Sequence, residues 1–263
     1  MDLPNVLLNI VAEYVGWVDD PTSESWVMET LRKNPEKIDW FWLSANPAAI
    51  HLLEANMDKI EWACLSSNPA AIHLLENNPE KIDWYWLAQN PNKKTIHLLE
   101  TNMDKINWAA LSSNPAAIHL LEANPDKIWW GELSKNHAAI HLLEINMDKI
   151  NWDALSRNPA AIHLLKSNMD KIEWFWLSCN PSAIHLLEAN MEKIDWHLLS
   201  ENPAAVLNGL LEKNMDKINW EGLSKNPAAI LNGLLAENMD KINWGALSKN
   251  PSTLRRFTAK DLK

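Results

Sequence analysis

Seven histidines, His51, His73, His97, His119, His141, His163 and His185, follow one another at spacings of 22 or 24 residues. Imidazole is the commonest metal ligand and titrates near neutral pH, so a histidine ladder raises metal binding and proton transfer first. Zinc requires each ring nitrogen within ~2.1 Å of one ion. Packed helices stand about 8–10 Å apart, so rungs placed one per helix do not converge on an ion. No cysteine or second histidine accompanies each rung, and no rung is singled out as a general acid or base. The ladder reads as surface groups or hydrogen bonds between repeats, with no metal and no cofactor expected.

A lysine ladder runs beside it: Lys37, Lys59, Lys81, Lys105, Lys127, Lys149, Lys171, Lys193, Lys217 and Lys241. Each is preceded by Asp or Glu, which predicts a solvated or ion-paired edge. The formal net charge of −10 argues against binding a phosphate backbone, which depends on Lys and Arg neutralising phosphates. Cys64 and Cys179 stand far apart at variable positions and read as reduced thiols of a cytosolic protein. No phosphate-binding glycine loop, dinucleotide fingerprint, nucleophile elbow or zinc spacing occurs, so no enzymatic activity is expected. The N-terminus carries no basic leader, and no apolar run reaches the ~18 residues of a membrane span, so neither secretion nor membrane insertion is expected.

The regularity of these ladders comes from an internal repeat, seen in NPAAIHLLEANMDKIEWACLSS from Asn46 to Ser67. Its framework tryptophan recurs at Trp40, Trp62, Trp84, Trp108, Trp130, Trp152, Trp174, Trp196, Trp220 and Trp244, at spacings of 22 or 24 residues. Asn46-Pro47 predicts the start of a helix, with Asn as N-cap and Pro in the first turn. Ala49, Ile50 and Leu53 then share one face at helical spacing. Asn56 is expected to end that helix in the left-handed conformation. Asp or Asn before most framework tryptophans predicts a second N-cap and a shorter helix or 3₁₀ turn from Trp62 to about Ser66, with Trp62 and Leu65 inward. A second helix reaching back to Met57 is the alternative. The two-residue excesses at Asn92–Thr95, Leu207–Gly209 and Leu231–Gly233 are assigned to the first helix of their units.

One such unit cannot bury enough apolar surface to offset the entropy of ordering it, so it must lean on its neighbours. The expected fold is all-α: an α-solenoid of about ten 22–24-residue two-helix repeats over residues 34–254, each with one α-helix and a shorter α or 3₁₀ helix. The alternation resembles the leucine-rich-variant type of solenoid in period, though not in wording. In wording the repeat resembles tandem short-repeat proteins of giant amoeba-infecting viruses, which would imply a viral protein acting in the host cytosol.

Against this constant frame two sites vary. The pair after the framework tryptophan is aromatic in Phe41-Trp42, Tyr85-Trp86 and Phe175-Trp176, and small or acidic in most other units. The residue before Asn-Pro varies as well, and is basic at Lys135 and Arg157. Exposed Trp, Tyr and Arg are common interface anchors, so these residues are candidates for binding a protein partner. Filling of gaps between units is the competing explanation.

Residues 1–33 are expected to form a helical cap on the first repeat. Leu3, Pro4, Leu7, Leu8, Ile10 and Tyr14 resemble the opening helix of an F-box, which implies docking to a ubiquitin-ligase adaptor. Residues 255–263 are polar and basic, and read as a C-terminal tail. The expected function is a non-enzymatic protein-interaction scaffold, a substrate receptor for a ubiquitin ligase if the F-box resemblance holds. A structural or assembly protein of a virus particle or filament is the alternative.

Overall fold

The computed structural model describes residues 33–250, so residues 1–32 and 251–263, with the F-box-like segment and the basic tail, lie outside the described residues. The chain divides into two compact units, Met1–Trp129 and Trp130–Lys263, at a point the even repeat spacing does not signal. Both units are built from the same α-solenoid repeat, and no β-strand occurs among the described residues.

In the repeat opened by Asn46, a 3₁₀ turn at Pro47–Ala49 runs into an α-helix at Ile50–Glu54. A second 3₁₀ turn at Met57–Lys59 follows, then the α-helix Trp62–Ser67. Extended backbone at Ile60 and Glu61 separates these last two, which rules out one helix from Met57. Counting its 3₁₀ turn, the first helical segment runs without a break from Pro47 to Glu54, so the tryptophan helix of six residues is the shorter element, as expected. Within each unit the tryptophan helices stack in succession.

The capping expected from the sequence is present. Asn46 Oδ1 accepts from the Ala48 N–H, and the seven Asp or Asn residues before framework tryptophans each accept from a backbone N–H in the following turn. Asn56 ends its helix differently from expectation. Its backbone lies at φ −139°, ψ 52°, and among the described residues only glycines have positive φ. The side chain explains this: Asn56 Nδ2 donates to the Leu52 carbonyl at 2.8 Å, supplying the donor the helix end lacks.

The two-residue excesses fall mostly in turns at the edge of the helices, with Thr95, Leu207 and Leu231 as the adjoining helical residues. The first forms an Asn90–Lys94 turn ahead of the helix Thr95–Glu100, with Asn92 Nδ2 donating to the Pro69 carbonyl. The second follows the helix Pro203–Leu207, where Gly209 at φ 76° lets the Leu210 N–H reach the Ala205 carbonyl and its own N–H reach Val206. That pair of bonds is the Schellman stop, which favours glycine because the left-handed region clashes with a Cβ.

Leucine, isoleucine and alanine fill the core. Leu53, Leu65 and Ala71 are fully buried, as are most of their equivalents along both units, with Leu247 in the last described repeat half-buried, and Ile60 and Ile82 are nearly fully buried. The framework tryptophans, expected inward, are half-buried, and Trp244 is 61% exposed. An indole is too large for the slot that leucine fills, so its outer face stays open. The lysine of the next repeat covers that face. Lys81 Nζ lies 4.6 Å from the Trp62 ring centroid, and Lys105, Lys149, Lys171, Lys193, Lys217 and Lys241 repeat the contact. The lysine edge is therefore chiefly a cation–π ladder; Lys59 and Lys127 pair with the preceding acid instead.

Two polar ladders run through this apolar interior. The first uses the Asn of Asn-Pro, which is buried. Asn180 Oδ1 accepts from the Ser182 N–H within its repeat, while Nδ2 donates to the Ser156 and Asn158 carbonyls of the repeat before, at 3.0 and 3.1 Å. Asn68, Asn90, Asn114, Asn158, Asn202, Asn226 and Asn250 likewise reach back to the preceding repeat. The second uses the buried serine after the core leucine. Ser156 Oγ donates to the Trp152 carbonyl and accepts from the Glu173 N–H of the next repeat. Ala88 takes the place of this serine in one repeat, and that rung has no hydroxyl.

Candidate functional site

The tryptophan helix places the variable positions. With its leucine and serine buried, the residues one and five after the framework tryptophan, Asp153 and Arg157, stand exposed at i, i+4 spacing; the residue two after it is buried where it is small, as at Ala154, and emerges where it is large, as at Trp42 and Trp86. Stacking of these helices lines the variable residues up as a strip along each unit.

In the first unit the strip carries Phe41 and Trp42 on the helix Trp40–Ala45, and Tyr85 and Trp86 on Trp84–Gln89. All four are exposed, with Trp42 at 60% and Trp86 at 41%. Each pair packs edge to face, with centroids 5.2 and 5.3 Å apart. The helix Trp62–Ser67 lies between them and presents only the half-buried Ala63 and Ser67, with Cys64 buried, so the two aromatic pairs form separate clusters around a rung of small side chains. Being exposed, these aromatics do not belong to the core between repeats.

In the second unit three of the residues selected from the sequence come together. Arg157, at the end of the helix Trp152–Ser156, lays its guanidinium over the Trp176 ring of the next repeat, 4.3 Å from the centroid. Trp176 is half-buried and packs edge to face on exposed Phe175 at 4.8 Å. Lys135 joins Arg157 and Trp176 in lining a cleft of about 530 Å³, completed by Asn151, Asp153, Ala154, Asn158 and Pro159. Asp153 and Arg157 are four residues apart on one helix, a signal present in the sequence. The convergence of Lys135 and Trp176 with them depends on repeat stacking, which no local spacing reveals.

Most of the histidine ladder is engaged in the fold. His73, His119 and His163 bond Glu54, Glu100 and Glu144 of the preceding repeat at 2.8, 3.2 and 2.7 Å, while His51 and His185 bond a glutamate in their own helix. Lys166 stands where the others have glutamate, so His185 turns to Glu188. Hydrogen bonds from His73, then His51, hold the Glu54 carboxyl below the usual range. Burial pushes the Cys64 and Cys179 thiols up, which keeps them protonated and weak as nucleophiles. Among the described residues no three His, Cys, Asp or Glu side chains gather as a metal site, and no helix is long and apolar enough to cross a membrane. Leu3, Pro4, Leu7, Leu8, Ile10 and Tyr14 lie outside the described residues.

The described fold is thus an all-helical, tryptophan-rich α-solenoid with a variable strip on its tryptophan helices. Comparison with family models, with curated proteins and with solved structures finds no match.

Proposed function

We propose that this chain is a protein-interaction scaffold without enzymatic activity, and that the strip on its tryptophan helices is the surface that binds a protein partner. One observation carries the reading: Phe41, Trp42, Tyr85 and Trp86 stand exposed on helices whose other face is locked into a repeating core. Large aromatics held on rigid elements bury much surface for little lost entropy, which suits them as anchors of an interface. The F-box-like start of the chain, Leu3 to Tyr14 within residues 1–33, would tether such a scaffold to a ubiquitin-ligase adaptor in the cytosol of an infected host. The described residues bear on the strip and not on that tether.

The test is affinity capture from a eukaryotic lysate with the wild-type chain and with a Trp42→Ala/Trp86→Ala/Trp176→Ala variant. Unchanged helicity with loss of the captured proteins supports the reading. Capture by the variant equal to wild type overturns it, as does a large loss of thermal stability in Trp86→Ala alone. Deleting residues 1–33 should release an adaptor and leave the other captured proteins in place. Polymers in size-exclusion chromatography, in place of a discrete monomer or dimer, would favour a structural assembly protein.

A further inference from the structure

We infer that the cleft of the second unit is the part of this strip that selects its ligand, and that Arg157 binds the carboxylate of an Asp or Glu on a protein segment whose neighbouring apolar side chain packs on Phe175 and Trp176. The inference rests on the strip being a recognition surface and names what one part of it recognises.

The cleft's polar groups are not equally available. Asn151 Oδ1 caps its helix at the Ala154 N–H, and Asn158 is held in the buried ladder. Lys135 Nζ is paired with Glu132 at 2.7 Å. Arg157 differs. Its planar face rests on Trp176, and among the described residues its guanidinium has no hydrogen-bond or ion-pair partner. The N–H donors of a guanidinium lie in its plane, so packing over the indole does not use them, and Arg157 is exposed. A held guanidinium edge matches the two oxygens of a carboxylate, and holding it beforehand removes much of the entropy cost of binding.

Asp153 sharpens the choice. It lies one helical turn before Arg157, the favourable order for an acid and a base, yet the arginine reaches across to the next repeat's indole. Because Arg157 makes no ion pair with Asp153 or any other described residue, a ligand carboxylate meets an unpaired guanidinium with one aspartate beside it. A phosphate carries nearly twice the charge against the same aspartate and against a chain of net charge −10. The pocket therefore favours an acidic side chain over a phosphorylated one or a nucleic acid.

The experiment selects displayed random linear peptides on the full chain, then measures one enriched peptide by calorimetry against wild type, Arg157→Leu, Arg157→Lys and Asp153→Asn. Enriched peptides are expected to carry Asp or Glu beside an aromatic or aliphatic residue. Arg157→Leu, and replacement of the peptide acid by its amide, should each weaken binding about tenfold or more, and together little beyond either alone. Arg157→Lys should restore only part of the loss, and Asp153→Asn should tighten binding. Enriched peptides without an acid, equal binding to Arg157→Leu, or tighter binding of a phosphoserine version would overturn the pocket while leaving the recognition surface standing. Enrichment of no peptide would overturn both.

Discussion

Replacing Asn180 by alanine should cost far more than its size suggests. The side chain makes three hydrogen bonds: it accepts from the Ser182 N–H and donates to the Ser156 and Asn158 carbonyls. Each is worth about 1 kcal/mol net, so their removal from a buried site should destabilise the second unit by about 3 kcal/mol. Asn180→Asp keeps the acceptor that caps the helix but loses the donor, and sets a buried carboxylate against two carbonyl oxygens. Burial raises the pKa of that new acid above its unfolded value of about 3.9. The sign follows: the variant is least impaired below that value, and its deficit grows as pH rises through the folded pKa. Urea unfolding followed by far-UV circular dichroism at pH 4 and 7 measures both effects, provided the slope is compared as well as the midpoint. A loss under about 0.5 kcal/mol in Asn180→Ala, or a pH-independent deficit in Asn180→Asp, would refute the view that this ladder joins successive repeats.

Ala88→Ser should add the missing rung, donating to the Trp84 carbonyl and accepting from the Asn107 N–H, and stabilise the first unit by about 1 kcal/mol in the same assay; no gain or a loss would show that the longer repeat has shifted the register. Lys171→Gln, which removes the charge over Trp152 while keeping a long polar chain, should cost about 0.5–1 kcal/mol and change the indole fluorescence. Glu54→Gln tests the histidine bridge. Because the Glu54 carboxyl is held below its ordinary range, its contribution is present above the unfolded pKa and lost as pH falls through the folded one. Wild type should therefore be more stable than the variant near neutrality, and the two should converge in acid; parallel pH profiles would contradict this.

The local grammar of the fold was legible in the sequence, and most contacts between repeats were not. The bonds of His73, His119 and His163 to the preceding repeat are the exception. Asn-Pro, and Asp or Asn before tryptophan, announce helix starts because a cap acts within three residues of itself. Nothing local says that Asn180 also holds the repeat behind it, because that second role depends on how one repeat settles on another. The lysines misled for the same reason: each sits beside an acid in the chain, yet most lie over an indole from the previous repeat. Asn56 allowed two ways of ending a helix, a left-handed backbone or a side-chain donor, and composition does not choose between them. For the candidate surface, departure from the repeat consensus was enough to pick out Trp42, Trp86, Trp176, Lys135 and Arg157. Asp153 could have been found from its spacing to Arg157, but the cleft that brings Lys135 and Trp176 to them required the stacking.

Helices of four to six residues are too short to persist alone in water, so their existence here is attributed to the neighbouring repeats. The most direct test is far-UV circular dichroism of a peptide spanning two central repeats, residues 152–195, beside the intact chain. The account predicts little helix in the peptide and no cooperative melt, against a helical and cooperative full-length protein. A peptide with the helicity per residue and melting midpoint of the intact chain would contradict it.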